Sequence, residues 1–160
     1  MDMINLLTES GIFAGCTGRE LTEIANVALK IGVTAGESIF TAGSPADHLF
    51  IVLDGSVALR FQVSYLEEKR NITLDRKSAG EAFGWSVFVE PSLYTLSAVA
   101  VEQSELMKIR KQDLDCLCAG NHHLGYVIMK NISEIIAERF AMVQNRLVNA
   151  IQLDLRDREV

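Results

Sequence analysis

The chain is poor in the residues that staple or break structure. Three cysteines and two prolines in 160 residues exclude a disulfide scaffold and a collagen-like or proline-rich segment. Basic residues are in the minority: 15 Lys and Arg against 21 Asp and Glu leave a net charge of −6. That argues against the basic footprint of a nucleic-acid-binding face and against generic adhesion to anionic lipid. No uninterrupted apolar run approaches the ~18 residues that span a bilayer. The opening Met1-Asp2-Met3-Ile4-Asn5-Leu6-Leu7 carries no positive charge ahead of its apolar residues, so it does not read as a signal peptide. The thiols Cys16, Cys116 and Cys118 are odd in number. Without a secretion signal they fit reduced cysteines, and a cytoplasmic location is expected. Enzyme signatures are missing too. There is no P-loop, no Gly-x-Ser-x-Gly and no His-Glu-x-x-His, and no enzyme is expected.

What is present is an ordinary globular composition, 49% hydrophobic and 22% charged. A chain this long buries about two-thirds of the surface its unfolded state exposes, so one domain can stand without staples. Near the start, Ile4, Leu6, Leu7, Ile12 and Phe13 form an apolar cluster. Thr17-Gly18-Arg19-Glu20 reads as a capping box. Leu21, Ile24, Ala25 and Ala28 follow at helical spacing, which predicts a helix ending near Lys30.

From Gly32 to Ile109 the period drops to two, with Gly36, Gly43, Gly55, Gly80 and Gly84 as punctuation. Val57, Leu59, Phe61 and Val63 alternate with Ser56, Ala58, Arg60 and Gln62, as a half-buried strand does. Leu49, Ile51 and Leu53 share one face of the preceding strand, with Phe50 and Val52 on the other. Asp54-Gly55 between the two predicts a hairpin, and Gly43-Ser44-Pro45 another turn. Glu67-Glu68-Lys69-Arg70-Asn71 predicts a charged loop tip. Short strands at this spacing point to a sandwich, barrel or jelly roll.

Helical spacing returns after Ile109. Lys111 to Cys118 predicts a short helix, broken at Ala119-Gly120, and Asn121 is a good N-cap for the next. Leu124, Ile128, Ile132, Ile136, Phe140, Val143, Leu147 and Ala150 then step by four or three. A helix over 121–151 would run ~45 Å, longer than the core needs. One stripe should pack on the roll or on a second copy of the chain. The end, Asp154 to Val160, is polar and expected to fray. Cys116, Cys118, His122 and His123 put four metal-ligand types close together. Cys-x-Cys on a helix, however, sets its thiols about 200° apart, so buried thiols and no metal are expected. His48 beside Asp47 cannot form a relay on a strand, where neighbours face opposite sides.

Ala35-Gly36-Glu37-Ser38-Ile39-Phe40, Gly43, Ala46-Asp47, Leu49-Phe50-Ile51-Val52 and Gly55 resemble the first half of the cyclic nucleotide-binding domain. Gly80-Glu81-Ala82-Phe83-Gly84 resembles the opening of its phosphate-binding cassette, and Ser97–Ala100 with Leu106–Ile109 the strands that close the roll. The resemblance covers roughly residues 5–150. It implies a mainly β fold, a double-stranded β-roll (jelly roll) with N-terminal helices over residues 1–120. A long C-terminal helix and tail over 121–160 belong to the same domain. It also implies a regulatory module in which a ligand in the cassette shifts the long helix.

The cassette of nucleotide-binding members carries a glutamate for the ribose hydroxyl and an arginine for the cyclic phosphate. Here Trp85 follows Phe83-Gly84 in place of the glutamate. Tyr94 falls in place of the arginine, followed by Thr95, and no arginine lies between Arg76 and Arg110. A buried phosphate without a paired cation costs several kcal/mol, against about 8 kcal/mol for a whole micromolar site. The expected function is therefore a sensor that does not bind cyclic AMP by the Glu/Arg mode, with an aromatic or nucleotide-like small molecule at Gly84, Trp85, Ser86, Tyr94 and Thr95. Two alternatives stand beside it. One is a nucleotide binder with an atypical cassette; the other is a ligand-free dimerisation or docking module whose pocket Trp85 and Tyr94 fill. Ile128, Ile132, Ile136, Phe140, Val143 and Leu147 are the expected coupling surface of a homodimer. Transcription factors of the family continue into a helix-turn-helix module. This chain stops a few residues past its long helix, so DNA binding is not expected and any regulation would run through a partner protein.

Overall fold

The computed structural model describes residues 3–65 and 68–158. Two four-stranded antiparallel sheets face each other. The first holds β1 (Leu29–Val33), β8 (Ser104–Arg110), β3 (His48–Asp54) and β6 (Ala82–Phe83), in that order. The second holds β2 (Ser38–Phe40), β7 (Ser97–Ala100), β4 (Ser56–Tyr65) and β5 (Glu68–Ser78). Leu49, Ile51, Val57, Leu59, Phe83, Ala98, Leu106 and Ile109 fill the space between the sheets and beneath the helices. The expected β-roll with flanking helices is the fold observed.

Several local expectations give way to the tertiary arrangement. Asp54-Gly55 is not a hairpin. It carries the chain from β3 in one sheet to β4 in the other, so the two strands never pair. Gly55 has φ +87°, and a Cβ there would lie 2.8 Å from the Ser104 Cα. Ser104 Oγ instead accepts the Ser56 N–H at 3.1 Å, so glycine at the crossover serves both its dihedral and this close approach. Glu68 to Asn71 are not a loop tip but the start of β5, paired with β4 from Tyr65↔Glu68 onward. Glu67 and Val160 lie outside the described residues.

Among the described residues, four helices flank the roll. They are α1 (Met3–Glu9), α2 (Gly18–Val27), α3 (Lys111–Gly120) and α4 (His122–Arg158). Helix α2 stops at Val27, short of Lys30, because Leu29–Val33 is drawn into the ladder against Ser104–Lys108. Asn121 caps α4 through a hydrogen bond from the Leu124 N–H to its side-chain oxygen at 3.2 Å. α4 runs 37 residues, about 55 Å, and stays helical through Asp154–Arg158, where fraying was expected. Cys118 is half-buried, but Cys116 is exposed, because it points away from the roll on α3.

One carboxylate ties the helical end together. Glu20, 3% exposed, completes the capping box by accepting the Thr17 N–H at 2.7 Å and the Thr17 hydroxyl at 3.0 Å. It also accepts Asn121 Nδ2 and His123 Nδ1, each at 2.8 Å. The start of α2 is thereby pinned to the α3–α4 junction. Burial on its own would raise the carboxyl pKa. The hydrogen bonds from His123, Thr17 and Asn121 outweigh it and hold the value down at about 2.

A carboxyl whose pKa falls on folding adds stability above its unfolded value, and that stability is lost as pH drops toward the folded value. Glu20→Gln is expected to cost about 1–3 kcal/mol at pH 7. The gap between wild type and variant, read by urea denaturation, should shrink between pH 4.5 and pH 2.

Candidate functional site

Gly84 ends β6 in the left-handed region, φ +81°, and turns the chain into a short 3₁₀ segment, Trp85–Phe88. A Cβ on Gly84 would lie 3.0 Å from the His48 carbonyl and 3.4 Å from Tyr94 Cε1, so the turn lies tight against β3. The 3₁₀ segment is held from the far side by Lys111, whose ammonium donates to the Val87 carbonyl at 2.9 Å. The five residues expected at the site meet here. Gly84, Trp85, Ser86, Tyr94 and Thr95 line one recess, together with Phe40, Leu59, Leu96 and Arg139.

The recess holds a cavity of about 20 Å³. That is room for a water or so, against the ~300–1,000 Å³ of a small-molecule pocket. Tyr94 explains the difference. Its ring stacks on Phe40 with centroids 3.7 Å apart and planes 8° apart. Phe40 in turn tilts onto Phe50 and Phe83. The phenol oxygen donates to the His48 carbonyl at 2.7 Å and accepts the His48 N–H at 3.1 Å. The tyrosine backbone bonds both ways with the Gly43–Ser44 turn. Burial pushes the Tyr94 pKa up, which keeps the phenol protonated and able to donate. Tyr94 is thus packed in the core, 5% exposed, while still lining the recess. Ser86 is buried, while Thr95 is exposed at the rim.

Trp85 is half-buried, and its face is covered. The Arg139 guanidinium lies 5.5 Å from its ring centroid. Arg139 comes from α4 and reaches Asp75 of β5 at 3.5 Å. Burial lowers the guanidinium pKa, and the Asp75 carboxylate opposes that shift. Arg139, Asp75 and Phe40 are site residues that the sequence reading did not single out. Only Arg139 left a signal: a cation seven residues after Ile132, on the same helix flank.

The long-helix stripe divides. Ile128 and Ile132 are 0% and 1% exposed and belong to the hydrophobic core with Leu124. They are packed inside the domain and are not part of its exposed face. Ile136, Phe140, Val143 and Leu147 are exposed, and Tyr126 and Met129 extend that face backward. Among the described residues no cluster of His, Cys, Asp and Glu gathers that could hold a metal. No described helix is long and apolar enough to cross a membrane.

Residues 31–121 match the cyclic nucleotide-binding domain family. The chain belongs to that family. A CRP-like cAMP-activated global transcriptional regulator of Mycobacterium tuberculosis is 20% identical over 156 residues, which are 98% of this chain and 66% of that protein. This chain therefore spans just under two-thirds of that regulator. A crystal structure from Geobacter metallireducens, described as a cyclic nucleotide-binding protein, is 28% identical, with TM-score 0.71 over 88% of this chain and 99% of that one. The catabolite activator protein of Thermus thermophilus shares the fold at 23% identity, with TM-score 0.70 over 88% of this chain and 63% of that one.

The Tyr94 hydroxyl should count toward stability. Tyr94→Phe keeps the stack on Phe40 but leaves the His48 carbonyl and N–H without their partner. It is expected to cost about 1–3 kcal/mol, read as a lower urea midpoint with an unchanged m-value.

Proposed function

We propose that this chain is a non-enzymatic regulatory module whose cassette is occupied by its own side chains. On this reading it takes no cyclic nucleotide by the Glu/Arg mode and acts through a protein surface. The observation that carries the reading is the filled recess: Tyr94 and Phe40 stacked inside, Trp85 and Arg139 across the mouth, and about 20 Å³ left over. A buried cyclic phosphate would also meet no arginine from its own cassette strand. The surface is the outward stripe of α4. Its residues Met129, Ile136, Phe140, Val143 and Leu147 recur at seven, four, three and four residues, the spacing of a coiled-coil seam. A second copy of the chain presents the same seam and can pair with it about a two-fold axis.

One observation favours the sensor reading as an alternative. All five expected contact residues line the same recess. A planar aromatic molecule that displaced Arg139 would find the Trp85 face and the Thr95 hydroxyl there. The cytoplasm is the compartment proposed for either reading.

Melting with and without millimolar cyclic AMP or cyclic GMP tests the closed cassette. Ligand at 100 times its dissociation constant adds about 2.7 kcal/mol, a rise of roughly 5–10 °C for a chain this size. No rise is expected, and a clear one would overturn the reading. A small molecule retained in native mass spectra would shift the choice to the sensor. For the seam, Phe140→Glu with Leu147→Glu is expected to give a monomer by light scattering, with the roll's melting temperature little changed. Ile132→Glu, by contrast, should unfold the chain, because that position is core.

A further inference from the structure

We propose that Arg139 is a latch. It fastens α4 over the cassette from within the same chain, and a β-bulge at Leu74 forms the notch that receives it. This rests on the closed cassette described above and adds what holds it closed.

The ladder between β4 and β5 is continuous except at one place. Leu59 pairs with Asp75 and Arg60 with Thr73, so Leu74 is the extra residue. A bulge frees backbone groups and re-aims neighbouring side chains. Both consequences are used by α4. Arg146 donates to the Leu74 carbonyl at 3.1 Å, and Arg139 reaches the Asp75 carboxylate at 3.5 Å. Ile132, Arg139 and Arg146 are seven residues apart, two turns each, and so fall on one flank of the helix. That flank changes character along its length. At Ile132 it is buried in the core; at Arg139 and Arg146 it holds the roll by cations.

Arg139 is well removed from water, with its side chain 19% exposed. A guanidinium so placed needs compensation. The Trp85 face and the Asp75 charge provide it from opposite elements. The charge chain continues into the cassette. Asp75 pairs with Lys77 at 3.0 Å and Lys77 with Glu81 at 3.3 Å, and the Glu81 carboxylate accepts the Ser78 N–H at 2.9 Å. Glu81 stands in the Gly80–Gly84 segment that opens the site. The helix, the bulge and the cassette turn are therefore linked by one run of contacts, and α4 cannot leave the roll without uncovering Trp85.

Trp85 is the only tryptophan, so its emission reports the latch directly. The experiment compares the full chain with Arg139→Met, which keeps the length and drops the charge, with Asp75→Asn, and with Arg19→Gln on the exposed side of α2 as control. Two quantities are read: the Trp85 emission maximum, and backbone hydrogen exchange over residues 136–150. Arg139→Met and Asp75→Asn are each expected to shift the emission to the red and to raise exchange in 136–150 about five-fold or more. Amides of β3 and β8 should stay protected, and the control should match wild type. Unchanged emission and exchange in both variants would overturn the latch. A uniform rise over roll and helix alike would overturn it too, because the pair would then be a general stabiliser. The nucleotide melting test above fails or succeeds on the wild type alone, so it judges the closed cassette separately from the latch.

Discussion

The Tyr94 phenol is fixed by both polar groups of a single residue, the N–H and the carbonyl of His48. That double contact sets the distance between the segment leading into β7 and the start of β3, one strand from each sheet. It also decides what the recess between them can contain. With its ring stacked flat on Phe40, Tyr94 joins the hydrophobic core. Gly84 can pass close beneath only because it lacks a Cβ, and the turn at Gly84 aims Trp85 outward to meet α4. The order of dependence runs from one hydroxyl to one turn to one helix.

Two kinds of interaction hold α4, and they act along different lengths of it. Leu124, Ile128 and Ile132 are buried by the roll, which needs no specific geometry beyond apolar contact. Beyond Ile135 the roll offers no further apolar floor, and the contacts become charged and directional. Ahead of that point Asn131 already adds a directional contact, donating to the Ile12 and Ala14 carbonyls at 2.9 Å. The outward apolar stripe occurs along both lengths, with Ser133 between Met129 and Ile136. The helix therefore keeps an exposed apolar face while being attached by two kinds of contact.

The fold was legible in the sequence because its signals are local and repeated: alternation in the strands, the capping box at Thr17 and Glu20, glycine at positive φ, and Asn121 before the long helix. The misreadings are all cases where a distant partner decided. Asp54-Gly55 has the chemistry of a hairpin, yet Ser104 and the second sheet claim the strands on either side. Leu29 and Lys30 continue the helical pattern, yet β8 offers them a ladder. At the site, the absence of a glutamate and an arginine was visible at Trp85 and Tyr94. What the residues do instead was not, because Phe40, Asp75 and Arg139 come together from strands and a helix far apart in the chain. Glu20 could be read as a cap but not as the hub for Asn121 and His123, which lie about a hundred residues away.

The crossover at Gly55 also bears on how the chain acquires its fold. Because β3 does not pair with β4, β3 takes its long ladder from β8, and β1 at the edge of that sheet depends on β8 as well. Both ladders span some fifty residues or more. Only β4 and β5 form a long pairing between neighbours in sequence. Loop closure on that scale slows folding relative to local pairing. During synthesis the β4–β5 hairpin can form first, while Leu29–Val33 stays unpaired, and the largely apolar strand His48–Asp54 has only the short β6 beside it, until residue 110 has emerged. This order of elements thus leaves β1 and one edge of β3 waiting for β8, and the last strand of the roll closes them both.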